Sequence, residues 1–269
     1  MGLLFKTLGF FCAICVTESA SAALVDWSAL NWPAGSLSNS YDVDPASSGN
    51  DVTATISGDT GQLQPSLVSG SPQTPAITRA FDGGLGTSPL TLEMALNLTS
   101  NAQSVTFTLD FSALYAAGVS NVSFTIFDID ASNTSSSKYQ DVISSIYATS
   151  ITGTQIAPTI TNVGPNVSLT GTGINQVLTG QTSTVDLGAG SDAANATISF
   201  NTTDIRSITF TYGSSSMFAD PTYQHIGIYN IDYEVVPEPD ALGACLIIIS
   251  LAVFQFHRWS KSRPSGLVT

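Results

Sequence analysis

The chain has 269 residues, of which 10% are charged, and a formal net charge of −13 with only seven Lys and Arg residues. A surface this acidic repels phosphate backbones, so the composition excludes nucleic acid as a partner. The three cysteines are Cys12, Cys15 and Cys245, so the long region between the ends of the chain has neither disulfides nor thiol chemistry.

The first 22 residues have the order of a secretory signal peptide. A weakly positive start at residues 1–6 precedes a short apolar tract at residues 8–16, and small residues follow. This order predicts export through the secretion translocase, with cleavage after Ala22. A lipoprotein signal at Cys15 is disfavoured, because Ile14 directly before it is larger than the small residue that such signals need.

Residues 34–89 are rich in Gly, Ser, Pro, Asn and Asp, and we expect irregular loops there around one strand at Val52 to Ile56. Further along, apolar and polar residues alternate with a period of two, which is typical of strands with one buried and one wetter face. The alternating tracts are residues 90–98, 104–112, 121–127, 196–200, 206–212 and 225–234. Residues 111–117 could form a short helix or a turn. Strands recur without helices between them, so the sequence predicts an all-β antiparallel sandwich, jelly-roll-like, over residues 23–234.

Paired carboxylates follow the third of these tracts. Asp128 and Asp130 are two residues apart at a predicted strand end, so their side chains should point the same way, and Asp141 follows in the next segment. Oxygen ligands at such spacing suit calcium. The opening resembles an EF-hand loop, but Asn133 replaces the glycine and Tyr139 replaces the bidentate glutamate. The hypotheses are a structural calcium site at Asp128, Asp130 and Asp141, or a solvated loop whose aspartates cap turns.

The exported region contains one histidine, His225, and no Gly-x-Ser-x-Gly elbow. One histidine without cysteine cannot supply the usual zinc ligands. We therefore predict a non-enzymatic protein in which His225 is packed or lies at a strand edge. Alternation in this last strand divides its residues between two faces: Ile226, Ile228, Asn230 and Asp232 on one, and Gly227, Tyr229, Ile231 and Tyr233 on the other.

Residues 235–263 have three parts. Val236, Pro237, Glu238 and Pro239 precede an apolar tract at residues 241–256, and the basic residues Arg258, Lys261 and Arg263 follow it. As a helix, the apolar tract would cover about 24 Å, somewhat less than the ~30 Å hydrocarbon core of a bilayer. Because basic side chains at its end can reach the headgroups, the tract predicts one transmembrane helix with its C-terminus in the cytoplasm.

This three-part order resembles the PEP-CTERM sorting signal. The resemblance implies that a Gram-negative bacterium exports the protein and holds the precursor in its inner membrane. It further implies that an exosortase, a membrane-embedded cysteine protease, recognises Pro237-Glu238-Pro239 and removes the tail. The final location would be the cell envelope, the surface or an exopolysaccharide-rich extracellular matrix. The resemblance covers residues 236–263 alone and carries no information about the exported region.

Three functions follow from these observations. The first is a non-catalytic structural or adhesive protein of the cell surface or matrix. The alternative is a carbohydrate-binding module that stacks sugars on exposed aromatic side chains, for which the candidates are Tyr139, Tyr147, Phe218, Tyr223 and Tyr229. An enzyme acting on polysaccharide ranks last, because no pair of carboxylates stands out. We expect Trp27 and Trp32 to pack in the core.

Overall fold

The computed structural model describes residues 21–44, 48–87, 89–181 and 191–236. Within these ranges the regular elements are antiparallel strands and two 3-10 turns, Thr60–Gln62 and Gly173–Asn175. The strands in chain order are β1 (Ser21–Val25), β2 (Ser38–Tyr41), β3 (Val52–Gly58), β4 (Ala76–Thr78), β5 (Thr91–Asn97), β6 (Ser104–Asp110), β7 (Val119–Phe127), β8 (Ala131–Asn133), β9 (Lys138–Ser150), β10 (Gln155–Ile156), β11 (Thr159–Thr161), β12 (Val167–Thr170), β13 (Val177–Gly180), β14 (Ala196–Phe200), β15 (Ile205–Ser214) and β16 (Tyr223–Val235).

The strands form two layers. One layer has the order β2-β3-β6-β15-β9-β13-β12. The other has the order β11-β14-β7-β16. The second edge of β16 pairs with β5 over residues 223–228 and with β1 over residues 231–235. Strand β4 pairs with β5. The two layers also join at one backbone pair, Ile205 with Val119. The prediction of an all-β antiparallel fold is confirmed.

Aromatic and branched side chains fill the space between the layers. Phe124 of β7 lies 6.0 Å from Phe210 of β15, ring centroid to ring centroid, and Phe210 stacks on Phe107 of the neighbouring strand. Trp27 and Trp32 are buried and pack edge to face, as expected for core side chains. Burial of apolar area at about 25 cal/mol per Å² makes this interior the main source of stability, since no cysteine is present between Cys15 and Cys245.

Several predicted strands lie where the alternation placed them, while two features differ. Residues 34–89 contain β2 and β4 as well as β3, so this segment is more ordered than predicted. The chain between β6 and β7 has turns at residues 112–114 and 116–117, so the turn alternative is right for residues 111–117. Asp110 stabilises the first of these turns, because its Oδ1 accepts a hydrogen bond from the Ser112 backbone N–H at 2.6 Å.

The predicted faces of β16 are wrong from Asn230 onward. Its ladder with β7 shifts register between Ile228 and Ile231, and the buried set changes from Ile226 and Ile228 to Ile231 and Tyr233. Such a bulge adds one residue to a strand and reverses which side chains face the core. Tyr229 precedes this change and lies on the outer face of the sheet, opposite Ile226 and Ile228, as the alternation predicted.

The first strand begins at Ser21, and Ser21 and Ala22 pair with Val235 and Glu234. Cleavage after Ala22 would therefore remove the first two residues of β1. Among the described residues, no helix is long and apolar enough to span a membrane. The predicted transmembrane helix at residues 241–256, the sorting residues Pro237, Glu238 and Pro239, and the basic residues Arg258, Lys261 and Arg263 lie outside the described residues.

Candidate functional site

An open groove of about 480 Å³ lies on the outer face of the layer that contains β7, β14 and β16. Its floor is a pair of stacked rings, Phe127 and Tyr229, with centroids 5.3 Å apart and planes inclined by 21°. Phe127 is almost fully covered, whereas Tyr229 is half-buried. An aromatic surface of this kind can stack against the apolar face of a flat ligand.

Loop residues complete the apolar part of the groove. Gly83 adopts φ +58, and a Cβ atom there would lie 2.6 Å from the ring of Phe127, so only glycine allows the loop to approach this closely. Asp82 fixes the turn by accepting a hydrogen bond from the Gly84 N–H at 2.8 Å. The next residue, Leu85, lines the groove although its side chain is about half exposed.

Polar side chains form the walls. Thr125 and Thr197 face each other across β7 and β14 with their hydroxyl oxygens 3.1 Å apart, and Asn162 donates from Nδ2 to Thr197 Oγ1 at 3.4 Å. Asp192 and Asn195 line the groove from the segment that leads into β14. A groove with an aromatic floor and polar walls provides both contacts that a sugar ring needs, stacking and hydroxyl recognition.

Asn195 has an unsatisfied acceptor. Its Nδ2 donates to the Gly83 carbonyl oxygen at 2.9 Å, which fixes the amide, but its buried Oδ1 has no hydrogen-bond donor in the described part of the chain. A buried polar atom without a partner is costly and calls for an explanation. Because this oxygen has almost no accessible surface, a ligand hydroxyl would reach it only if the side chain turned toward the groove.

The predicted calcium residues lie elsewhere, at the end of β7 and in the β8–β9 hairpin. Asp128 Oδ2 lies 3.4 Å from His225 Nε2. Asp130 Oδ1 accepts a hydrogen bond from the Tyr139 hydroxyl at 2.8 Å. The three carboxylates thus turn to different protein partners, and no group of three or more His, Cys, Asp or Glu side chains in the described ranges is arranged to hold a metal ion.

Asp141 is fully buried on β9. Its Oδ1 accepts from the Tyr212 hydroxyl at 2.8 Å and its Oδ2 accepts from the Asp130 backbone N–H at 3.1 Å. Burial raises the pKa of Asp141 well above the ordinary Asp value, and the negative charge of Asp130 raises it further. The same burial and the charge of Asp141 raise the pKa of the Tyr212 hydroxyl.

His225 lies between two carboxylates, which the sequence did not predict. Its Nδ1 is 3.1 Å from Glu93 Oε1, and its Nε2 faces Asp128. Glu93 is fully buried on β5, where its Oε2 accepts from the hydroxyls of Ser66 at 2.6 Å and Thr78 at 2.7 Å. Burial opposes ionisation of Glu93, but the hydrogen bonds from His225, Ser66 and Thr78 outweigh it, so the Glu93 pKa lies below its usual value.

A second cavity of about 320 Å³ opens beside His225 and is also lined by Tyr139 and Tyr223. The Tyr223 hydroxyl donates to the Pro65 carbonyl oxygen at 3.2 Å, and the Tyr139 hydroxyl is used by Asp130. Both phenol groups therefore serve the protein itself. Of the five aromatic candidates from the sequence, Tyr229 lies in the larger groove, whereas Tyr147 and Phe218 line neither cavity.

No protein-family model and no curated protein matches this chain. A comparison with solved structures finds a family 11 carbohydrate-binding module from Clostridium thermocellum, solved in complex with a β-1,3-1,4-mixed-linked tetrasaccharide. The two chains are 13% identical over 80% of this chain and 96% of that one, with a TM-score of 0.25. A similarity this low carries no argument about either fold or function.

Proposed function

We propose that the β-domain is a non-catalytic carbohydrate-binding module of an exported surface or matrix protein, and that sugars bind in the groove over Tyr229. The observation that carries the proposal is the stacked pair of Phe127 and Tyr229 beside the unsatisfied Oδ1 of Asn195. Stacking holds the ring of a sugar, and the amide oxygen accepts from one of its hydroxyls. A structural or adhesive role in exopolysaccharide would follow directly from such binding.

The test is a comparison of two tyrosine substitutions. Tyr229→Ala removes the exposed ring of the groove, and Tyr147→Ala removes another half-buried tyrosine that lines neither cavity. On a glycan array, we expect Tyr229→Ala to weaken every bound glycan by about tenfold or more, equivalent to ~1.4 kcal/mol. Tyr147→Ala should bind as the unchanged protein does. Equal binding by both variants would refute the groove as the site.

We also propose that the protein binds polysaccharide without hydrolysing it. Both ring nitrogens of His225 face carboxylates, at 3.1 Å and 3.4 Å, so the one histidine of the exported region is committed to a structural network. A turnover assay on polysaccharides tests the remaining alternative, an enzyme. If the protein released reducing ends from a polysaccharide, its function would be hydrolysis and not binding alone.

Delivery to the surface is part of the same proposal and rests on the sequence. The signal peptide at residues 1–22 and the tail at residues 235–263 would direct export, anchoring and processing by an exosortase. Deletion of residues 236–263 should change the protein from cell-associated to freely secreted. An unchanged distribution between cells and medium would count against sorting by the tail.

For the sandwich we propose a jelly-roll topology, supported by the alternation of β5, β6, β7 and β9 between the two layers.

A further inference from the structure

Some of the donors of the groove are committed to protein acceptors. Asn162 donates to Thr197, the hydroxyls of Thr125 and Thr197 share a hydrogen bond, and Asn195 donates to the Gly83 carbonyl oxygen. Backbone donors at the rim are committed as well, because the Gly164 N–H donates to the Asn195 carbonyl oxygen at 2.8 Å. Each of the two amides keeps a second N–H, and one of the two threonine hydroxyls keeps its hydrogen, so a ligand still meets some donors in this groove.

The exposed acceptor on this wall is the carboxylate of Asp192, and the unpaired Oδ1 of Asn195 lies buried on the same wall. Ionised carboxylates only accept hydrogen bonds, and each of their oxygens can take more than one. The ligand that satisfies such a wall is rich in O–H donors. A sugar with free hydroxyl groups and an apolar ring face meets this requirement and that of the aromatic floor.

Charge narrows the class of ligand further. Asp192 is the one charged side chain among the described residues that line the groove. The whole exported region contains only three basic residues, Arg79, Lys138 and Arg206, and none of them lines the groove. A uronate, sulfate or phosphate group in the groove would approach Asp192 without a cation to pair with, and like charges at close range repel.

We propose that the groove selects neutral, hydroxyl-rich glycans over acidic ones, and that Asp192 and Asn195 are its specificity-determining residues. The inference rests on the proposed carbohydrate-binding function and names its ligand class. Asn195 Oδ1 and the Asp192 carboxylate accept hydroxyl hydrogens from the sugar. Asp192 also rejects anionic sugars by charge.

The experiment uses the full-length chain, purified in a detergent without a sugar headgroup. Calorimetric titrations compare matched hexasaccharides: glucose with glucuronate, mannose with mannuronate, and galactose with galacturonate. We expect binding to a member of the neutral set, and at least about tenfold weaker binding to its acidic counterpart at low salt. Because salt screens exposed charges, raising the salt concentration should narrow this ratio.

The key variant is Asp192→Asn, which keeps the size of the side chain and removes its charge. We expect the ratio of neutral to acidic affinity to fall by about tenfold and to lose its dependence on salt. Thr211→Ala, on the outer face of the other layer, is the matched control and should keep the full ratio.

The two proposals fail in different ways. Equal binding of neutral and acidic sugars, with no effect of Asp192→Asn, overturns the selectivity and leaves carbohydrate binding in place. A groove that binds neither set, with Tyr229→Ala indistinguishable from the unchanged protein, overturns the carbohydrate-binding function and the selectivity together. The selectivity is also overturned if the protein binds acidic glycans more tightly than neutral ones and Asp192→Asn increases this preference. Asp192 would then limit the affinity for the true ligand.

Discussion

Replacing His225 by phenylalanine should destabilise the protein by about 2–3 kcal/mol at neutral pH. The substitution removes the Nδ1 donor, 3.1 Å from Glu93 Oε1, and keeps a ring against Phe81, whose centroid is 4.8 Å from that of His225. A hydrogen bond to a charged group is worth about 1.5–3 kcal/mol. The hydroxyls of Ser66 and Thr78 still donate to Glu93 in the variant, so the cost should stay within this range.

The cost should depend on pH in a defined direction. The folded-state pKa of Glu93 is depressed, so its ionised form contributes stability that is present above the unfolded pKa and is lost as pH falls through the folded pKa. Without His225, burial acts on Glu93 with less opposition. The penalty of His225→Phe should therefore be largest near pH 7 and shrink as pH falls below about 4, where an ordinary Glu becomes protonated.

Denaturant unfolding from about pH 3 to pH 8, followed by the fluorescence of the buried Trp27 and Trp32, measures this cost. Glu93→Gln, alone and combined with His225→Phe, completes a double-mutant cycle that isolates the pairwise energy. We expect a coupling of about 1.5–3 kcal/mol at pH 7. A cost of His225→Phe that is the same at every pH, or a coupling close to zero, would refute the assignment of this contact as the support of the buried carboxylate.

Three further outcomes test other parts of the structure. Because burial raises the folded-state pKa of Asp141, the protein should lose stability as pH rises through that pKa. Asp141→Asn should remove this loss, so the difference in stability between the two forms should shift toward the variant as pH rises from about 4 to 8. Identical pH profiles of stability for the two forms would contradict this. The calcium hypothesis for Asp128, Asp130 and Asp141 predicts a lower Tm when a chelator is added; an unchanged Tm would remove it. Gly164→Ala should cost about 1–3 kcal/mol, because its Cβ would lie 2.3 Å from the Ala193 carbonyl oxygen, whereas Gly61→Ala meets no atom within 4 Å and should be nearly neutral in the same unfolding experiment.

The period-two alternation was sufficient to predict several strands because it follows from strand geometry alone. Apolar residues at every second position need a core on one side, whatever the rest of the chain does. For this reason β6 (Ser104–Asp110), β7 (Val119–Phe127) and β14 (Ala196–Phe200) lie where the sequence placed them, with their predicted faces buried.

The alternation failed where a bulge reverses it. In β9 the alternation of buried and exposed side chains is interrupted at Ser144 and Ser145. Ser145 has φ +49, and the ladder with β15 shifts register at this point. The strand therefore does not show a continuous period-two pattern in the sequence. The bulge in β16 made the same change and turned Ile231 and Tyr233 inward. A bulge inserts a residue without altering composition, so the local sequence carries no clear sign of it.

The amino-acid sequence by itself determined the β class, the absence of cysteine chemistry between the ends of the chain, the acidic surface and the targeting hypotheses, because composition and local periodicity carry each of these. The tertiary structure alone decided the sites. Glu93 meets His225 across 132 positions of sequence, and Asn195 meets Gly83 across 112. His225 was visible beforehand as the one histidine of the exported region, whereas Glu93 was not singled out in its alternating tract. Their pairing was not visible, because the register of distant strands depends on how the whole core packs.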